Sequence, residues 1–207
     1  MEQLTVRLAK REDYLRILDL ECRNYIDNVP ETERRDGFLS ARMTEEQVDR
    51  IAQEVGIAVA YEGEELVGFF CVSRPEHWPS DSIVHRLVHY LTTDLRDARM
   101  ADPQRFCIFG PMCLSPTARG TGILGKMYEI LNANLGEHYA AGAGFISTKN
   151  PRSLAAVAKL DWQPAGRFQR GDREYYALIR DIDRPGRAAR SNVARATQAS
   201  AAHVASA

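Results

Sequence analysis

The chain has 207 residues, enough for one domain and a tail, with 44% hydrophobic and 27% charged residues, a balance that lets a core form without metals or disulfides. A formal net charge of −1 provides no overall attraction to nucleic acid or an anionic membrane. Apolar runs are too short to span a bilayer, the opening MEQLTVRLAK is not a signal peptide, and Cys22, Cys71, Cys107 and Cys113 lack C-x-x-C spacing. These features imply a cytoplasmic protein whose thiols are free and buried as small core residues.

Leu4, Val6 and Leu8 alternate with Thr5 and Arg7, as in a half-buried strand. A helix follows, with Asp13 near its start and Leu15, Leu18, Cys22, Tyr25 and Ile26 on the face expected to be buried. Pro30, Gly37 and many charges mark 27–43 as a loop. Thr44-Glu45-Glu46-Gln47 is a capping box, in which the hydroxyl takes one free N–H and the glutamine reaches back to another. Val48, Ile51, Ala52 and Val55 then repeat at helical spacing. Segments 57–61 and 66–72, joined through Glu62-Gly63-Glu64, predict a hairpin. Asp81 is expected to cap a helix bearing Ile83, Leu87, Leu91 and Leu95.

A fourth strand, 106–114, is interrupted at Gly110-Pro111; proline cannot donate to a ladder, so a splay or bulge is expected there. A glycine-rich turn leads into a helix with Ile123, Met127, Ile130 and Leu131 on one face. A fifth strand at 144–148, a short helix at 151–160 with proline in its first turn, and strands near 166–169 and 175–179 complete an α+β order. Residues 1–183 form the expected domain. Residues 184–207 hold Arg184, Arg187, Arg190 and Arg195 with no acid, a composition that reads as a disordered tail.

The turn Arg119-Gly120-Thr121-Gly122-Ile123-Leu124-Gly125-Lys126 lies between a strand and a helix. Converging N–H groups and the helix dipole suit such a turn to a phosphate. Gly120-x-Gly122-x-x-Gly125 fits a dinucleotide fingerprint, but the next strand ends in Thr148-Lys149-Asn150 without the required acid. Gly120-x-x-x-x-Gly125-Lys126 fits most of a P-loop, but Met127 occupies the place of the magnesium-binding hydroxyl.

The segment resembles the coenzyme A loop of the GNAT (GCN5-related N-acetyltransferase) family, Gln/Arg-x-x-Gly-x-Gly/Ala, with Leu124 at the last position and Gly125 one residue later. Asn150-Pro151-Arg152-Ser153-Leu154 through Asp161-Trp162 resembles the family's second motif, with Asp161-Trp162 in place of Gly-Phe. The resemblance implies a mixed, mostly antiparallel twisted sheet of six to seven strands, helices on both faces, and a splayed pair of central strands. It also implies an acetyl-CoA-dependent N-acetyltransferase acting on a small-molecule or peptide amine, with no metal and no nucleic-acid or membrane partner. Amides from Arg119 to Gly125, namely Arg119, Gly120, Thr121, Gly122, Ile123, Leu124 and Gly125, would hold the diphosphate. Met112, Cys113 and Leu114 would follow the pantetheine arm, the Cys113 N–H would face the thioester oxygen, and Asn150 would complete the coenzyme site.

The chemistry needs a base for the amine and a route for the thiolate to leave. Many family members place a tyrosine seven residues after the motif asparagine; here that residue is Val157. Tyr176 is the candidate acid, with Tyr128 and Tyr175 as alternatives, and a thiolate leaving unprotonated into the helix dipole is another. Glu76 and His77 are the candidate bases. His85 and His89 are a helical turn apart but lack a third zinc ligand. The loop at 28–43 is expected over the acceptor pocket. A noncatalytic acyl-CoA-binding module and a nucleotide-binding protein stay open as alternatives, as do the acceptor, the acyl length and the choice between monomer and homodimer.

Overall fold

A computed structural model describes residues 4–158, 160 and 162–182. The arginine-bearing tail at 184–207, together with Lys159 and Asp161, lies outside the described residues. In chain order the elements are β1 (Leu4–Leu8), α1 (Tyr14–Asn24), α2 (Glu45–Glu54), β2 (Gly56–Glu62), β3 (Glu65–Ser73) and α3 (Ile83–His89). They continue with β4 (Phe106–Leu114), α4 (Ile123–His138), β5 (Ala141–Ser147), α5 (Pro151–Val157), β6 (Gln163–Arg170) and β7 (Arg173–Asp181).

The strands make one sheet in the order β1-β2-β3-β4-β5-β7-β6. Every neighbouring pair is antiparallel except β4 and β5, which are parallel. Both faces are covered, so β2 and β3 read as near-continuous apolar runs rather than alternating ones. Ile57, Val59, Phe69 and Cys71 point into a core shared with Ile17 and Leu20 of α1, Val48 and Ile51 of α2, and Leu87 of α3. Ala58, Ala60, Phe70 and Val72 point the other way, against Ile123, Met127 and Leu131 of α4. This period of two follows from strand geometry.

The capping box forms: the Thr44 Oγ1 accepts from the Gln47 N–H at 3.2 Å, and the Gln47 Oε1 accepts from the Thr44 N–H at 2.9 Å. Three expectations change. The buried face of α1 carries Tyr14, Ile17, Leu20 and Glu21, while Leu15 is 67% exposed. Its phase is set from outside the helix. Asp13, immediately before α1, is buried and accepts from the Arg7 guanidinium at 2.6 and 2.9 Å and from the Tyr61 hydroxyl at 2.6 Å. The cap of α3 is Ser82, whose Oγ accepts from the His85 N–H at 3.2 Å, and not Asp81. Residues Tyr90–Asp94 continue as a π-helical turn, and its extra residue rotates Leu95 off the buried stripe to 41% exposure.

Beside the parallel pair the sheet opens. β4 pairs with β5 only over Phe106, Cys107 and Ile108, and its register against β3 shifts near the Gly110-Pro111 peptide, which is cis. The strands therefore part from Phe109 onward. The Phe109 ring covers Gly142, where an added Cβ would lie 2.5 Å from it. No described helix is long and apolar enough to cross a membrane.

Candidate active site

At the end of β4 the chain turns through Pro116–Ala118 into α4, and Gly122 is the residue preceding the helix. Gly120 and Gly122 have φ of +77° and +82°, a region that costs other residues roughly 1–2 kcal/mol. No side chain caps α4. The Arg119 N–H is used by the Pro116 carbonyl at 3.3 Å, and the Gly125 N–H by the Gly122 carbonyl at 3.1 Å. Between them, the N–H groups of Gly120, Thr121, Gly122, Ile123 and Leu124 donate to no acceptor among the described residues. Of the seven amides expected from sequence to face a phosphate, five are therefore without an internal acceptor among the described residues, and Leu124 supplies the last. The Thr121 hydroxyl is itself bonded to the Ala118 carbonyl at 2.7 Å, which stiffens the turn.

Positive charge gathers at this end. A groove beside the turn is lined by Arg119, Arg152 and one acid, Asp36, together with Met112, Cys113, Leu114 and Leu124. Burial and then the nearby Arg152 guanidinium lower the Arg119 pKa, so an anion bound there would relieve both costs. The Arg119 Nε donates to the Leu114 carbonyl at 3.0 Å.

The groove is continuous with a cleft that runs through the sheet where β4 and β5 part; Phe38, Leu39, Met112 and Ser153 line both. Phe109, Gly110, Pro111 and Met112 form one wall, and Gly144, Phe145, Ile146 and Ser147 the other. Asn150, Ser153, Val157, Leu160 and Trp162 also line it, as do Phe38, Leu39, Ser40, Ala41, Trp78 and Val84. The loop between α1 and α2 therefore reaches the cleft through its 38–41 segment.

Ladder parity decides which β4 amides face this cleft. The Ser115 N–H donates to the Val67 carbonyl at 2.7 Å, and Phe69 lies opposite Cys113. Hydrogen-bonded pairs alternate along an antiparallel ladder. The Cys113 N–H consequently points at β3, whereas Met112 and Leu114 direct their backbone groups toward the opening. The Cys113 N–H, expected from sequence to face a thioester oxygen, is thus turned to β3, and the Met112 N–H is the neighbouring amide on the open side. The Cys113 side chain is buried, and burial pushes its thiol up to about 12.

The sequence-derived acid and bases are not brought to the cleft. Glu76 sits in a turn after β3, half exposed and 3.9 Å from Arg74. The His77 ring is buried and both its nitrogens are occupied: Nδ1 accepts from the Arg74 N–H at 3.3 Å, and Nε2 lies 2.8 Å from a Glu54 oxygen. Tyr176 is on β7, where its hydroxyl accepts from Arg167 at 3.1 Å and its ring lies under the same guanidinium. Tyr175 stacks on Phe168. Tyr128 stacks on Phe109 behind the cleft wall, with its buried hydroxyl unpartnered among the described residues. Among the described residues no group of three or more His, Cys, Asp or Glu side chains converges as a metal site.

Asn150 is a clamp. Its Oδ1 accepts from the Ser153 N–H at 3.1 Å, capping α5, and its Nδ2 donates to the Phe38 carbonyl at 3.2 Å. An Asp36–Arg152 ion pair at 3.5 Å joins the same two segments. Asn150→Ala should cost about 2 kcal/mol, the sum of a lost cap and an orphaned carbonyl, measurable by urea unfolding. Sequence reasoning missed Glu21, a buried carboxylate whose two oxygens share the Met43 N–H at 3.1 Å each. Its place on the buried face of α1 was hidden by the misread helix phase.

These features define a domain with the GNAT fold. No family model matches the chain, and no curated protein does. Solved structures do. A GNAT-family acetyltransferase from Streptococcus pneumoniae superposes with a TM-score of 0.59 at 13% identity, covering 87% of this chain and 100% of that one. An N-acetyltransferase from Staphylococcus aureus Mu50 gives 0.58 at 17%, covering 88% and 100%. A phosphinothricin acetyltransferase from Sinorhizobium meliloti in complex with acetyl-CoA gives 0.55 at 17%, covering 86% and 88%. At such identities the likeness establishes the fold.

Proposed function

We propose that this chain is an N-acetyltransferase of the GNAT family that binds acetyl-CoA and transfers the acetyl group directly to an amine held in the same cleft. The observation that carries the reading is the run of five unpaired amides at the start of α4, opening into a cleft between parting strands. Acetyl-CoA would supply an activated acyl carbon on a thioester. The amides from Gly120 to Leu124, with Arg119 and Arg152, hold its diphosphate. The outward-facing backbone of Met112 and Leu114 takes the pantetheine amides, and the Met112 N–H stabilises the carbonyl oxygen as negative charge builds on it.

Direct transfer is supported by thiol chemistry. An acyl-enzyme would need a thiolate, and burial holds Cys113, the cysteine nearest the opening, at about 12. Cys113→Ala is expected to keep at least about half of the turnover, with no acetylated protein in the mass spectrum of the wild type mixed with acetyl-CoA. Acetylated Cys113 would overturn direct transfer. The P-loop alternative is weakened because Met127 is fully buried against the sheet. A noncatalytic acyl-CoA-binding role is favoured by one feature, the apolar Val157 in the cleft.

Calorimetric titration with acetyl-CoA, CoA, ATP and NAD tests the binding half. Tight acetyl-CoA binding with weak ATP and NAD is expected; the reverse order rejects the proposal. Release of free thiol with an amine then separates catalysis from binding alone.

A further inference from the structure

This inference rests on the acetyltransferase reading and concerns the amine. Ser40, Ala41, Trp78, Val84 and Phe145 line the cleft but not the coenzyme groove, and Phe38 stands where the two join. Among the described residues that line the cleft there is no Asp, Glu, His, Lys, Arg, Tyr or Cys; besides peptide groups and the two tryptophans, its polar side chains are Asn150, whose amide is bonded to Ser153 and Phe38, and three serines. The Trp78 indole N–H is already bound to the Ser73 Oγ at 2.9 Å, so the ring presents only its apolar surface. Nearby ionisable groups are committed elsewhere: Glu76 to Arg74, His77 to Glu54, and Glu21 to the Met43 amide. Among the described residues lining the cleft, none neutralises an ammonium ion, anchors a carboxylate or removes a proton.

An alkylammonium with a pKa of about 10.4 is neutral in only about one molecule per thousand near pH 7.4. Carrying the cation into an apolar cleft without a counter-charge costs further free energy. An amine whose lone pair is drawn into an aromatic ring is already neutral, and its flat ring suits walls made by Phe38, Trp78 and Phe145. We propose that the acceptor is an uncharged, weakly basic aromatic amine seated between Phe38, Trp78 and Phe145. Its nitrogen lone pair forms the C–N bond while the C–S bond breaks with its electron pair on sulfur. The nitrogen's proton passes to that sulfur, whose thiolate is ordinarily protonated near pH 8.5, so a protein base is not required.

The isomers p-toluidine and benzylamine test this, because they share a formula and differ in charge. Calorimetry with the full chain first measures acetyl-CoA binding. Tryptophan fluorescence, with and without the coenzyme, then measures each amine. At neutral pH p-toluidine should bind at least about tenfold more tightly, with the gap closing as benzylamine loses its proton. Thiol release with p-toluidine should be level from about pH 6.5 to 9, in the wild type and in Glu21→Gln. Ser40→Asp, which supplies a counter-charge at a half-buried position, should reverse the binding order. Equal or tighter benzylamine binding overturns the inference, as does an acid limb that disappears in Glu21→Gln. So does a protein that binds acetyl-CoA but neither amine, a result that leaves the acetyltransferase reading standing. Failure to bind acetyl-CoA with the p-toluidine preference intact rejects the acetyltransferase reading alone.

Discussion

Gly122→Trp is expected to weaken acetyl-CoA binding by at least about 100-fold, close to 3 kcal/mol, while the fold survives. Gly122 stands at φ +82° directly before α4, and a Cβ built there meets no atom within 4 Å. The Cβ of the new side chain therefore meets no clash. Its backbone strain is about 1–2 kcal/mol, a fall of several degrees in melting temperature for a domain of this size. The indole instead occupies the space onto which the amides of Gly120 to Leu124 open. Gly122→Ala supplies the comparison: it carries the same strain with little bulk, and should lose far less affinity. Calorimetry and thermal unfolding on both variants check the pair. Unchanged affinity in the tryptophan variant would remove the diphosphate from this turn.

Local chemistry was legible in the sequence wherever it acts over a few residues. The capping box at Thr44, the hairpin through Gly63, the break at Gly110-Pro111 and the glycine turn before α4 are each encoded within about six positions. Long-range geometry was not. Whether Cys113 or Met112 turns its amide to the cleft depends on the pairing of β4 with β3, a register fixed by residues some 45 positions apart. The phase of α1 escaped for a similar reason: Leu15 is as apolar as Ile17, and the clamp of Arg7 and Tyr61 on Asp13 chooses between them. His77 looked like a base because the loop after the third strand could line the acceptor side. Its burial against Glu54 emerges only when α2 packs beside the turn after β3.

Glu21→Gln is expected to make the protein more stable than the wild type at pH 8 by about 3 kcal/mol relative to the same comparison at pH 4.5 or below. Burial pushes the Glu21 carboxyl up to about 7, against the opposing effects of the Met43 N–H and the Arg42 charge. The groups around it are Arg42 and Met43 from the loop, Cys71 from β3 and Cys113 from β4. An unfolded chain loses this proton near 4.5, so between about pH 4.5 and 7 the folded state binds the extra proton. Stability from this group is complete below 4.5 and is lost as pH rises to 7, the opposite sign to a salt-bridged carboxylate. A shift of roughly 2.5 units corresponds to about 3 kcal/mol. Glutamine keeps an oxygen for the Met43 amide and never ionises, so it avoids the penalty of a buried charge. Urea unfolding of both proteins across this range, compared as a difference at each pH, isolates Glu21 from every other titrating group. A difference that does not change with pH would mean that Glu21 titrates as an exposed carboxylate, and that the segment ending at Met43 does not seal it from water.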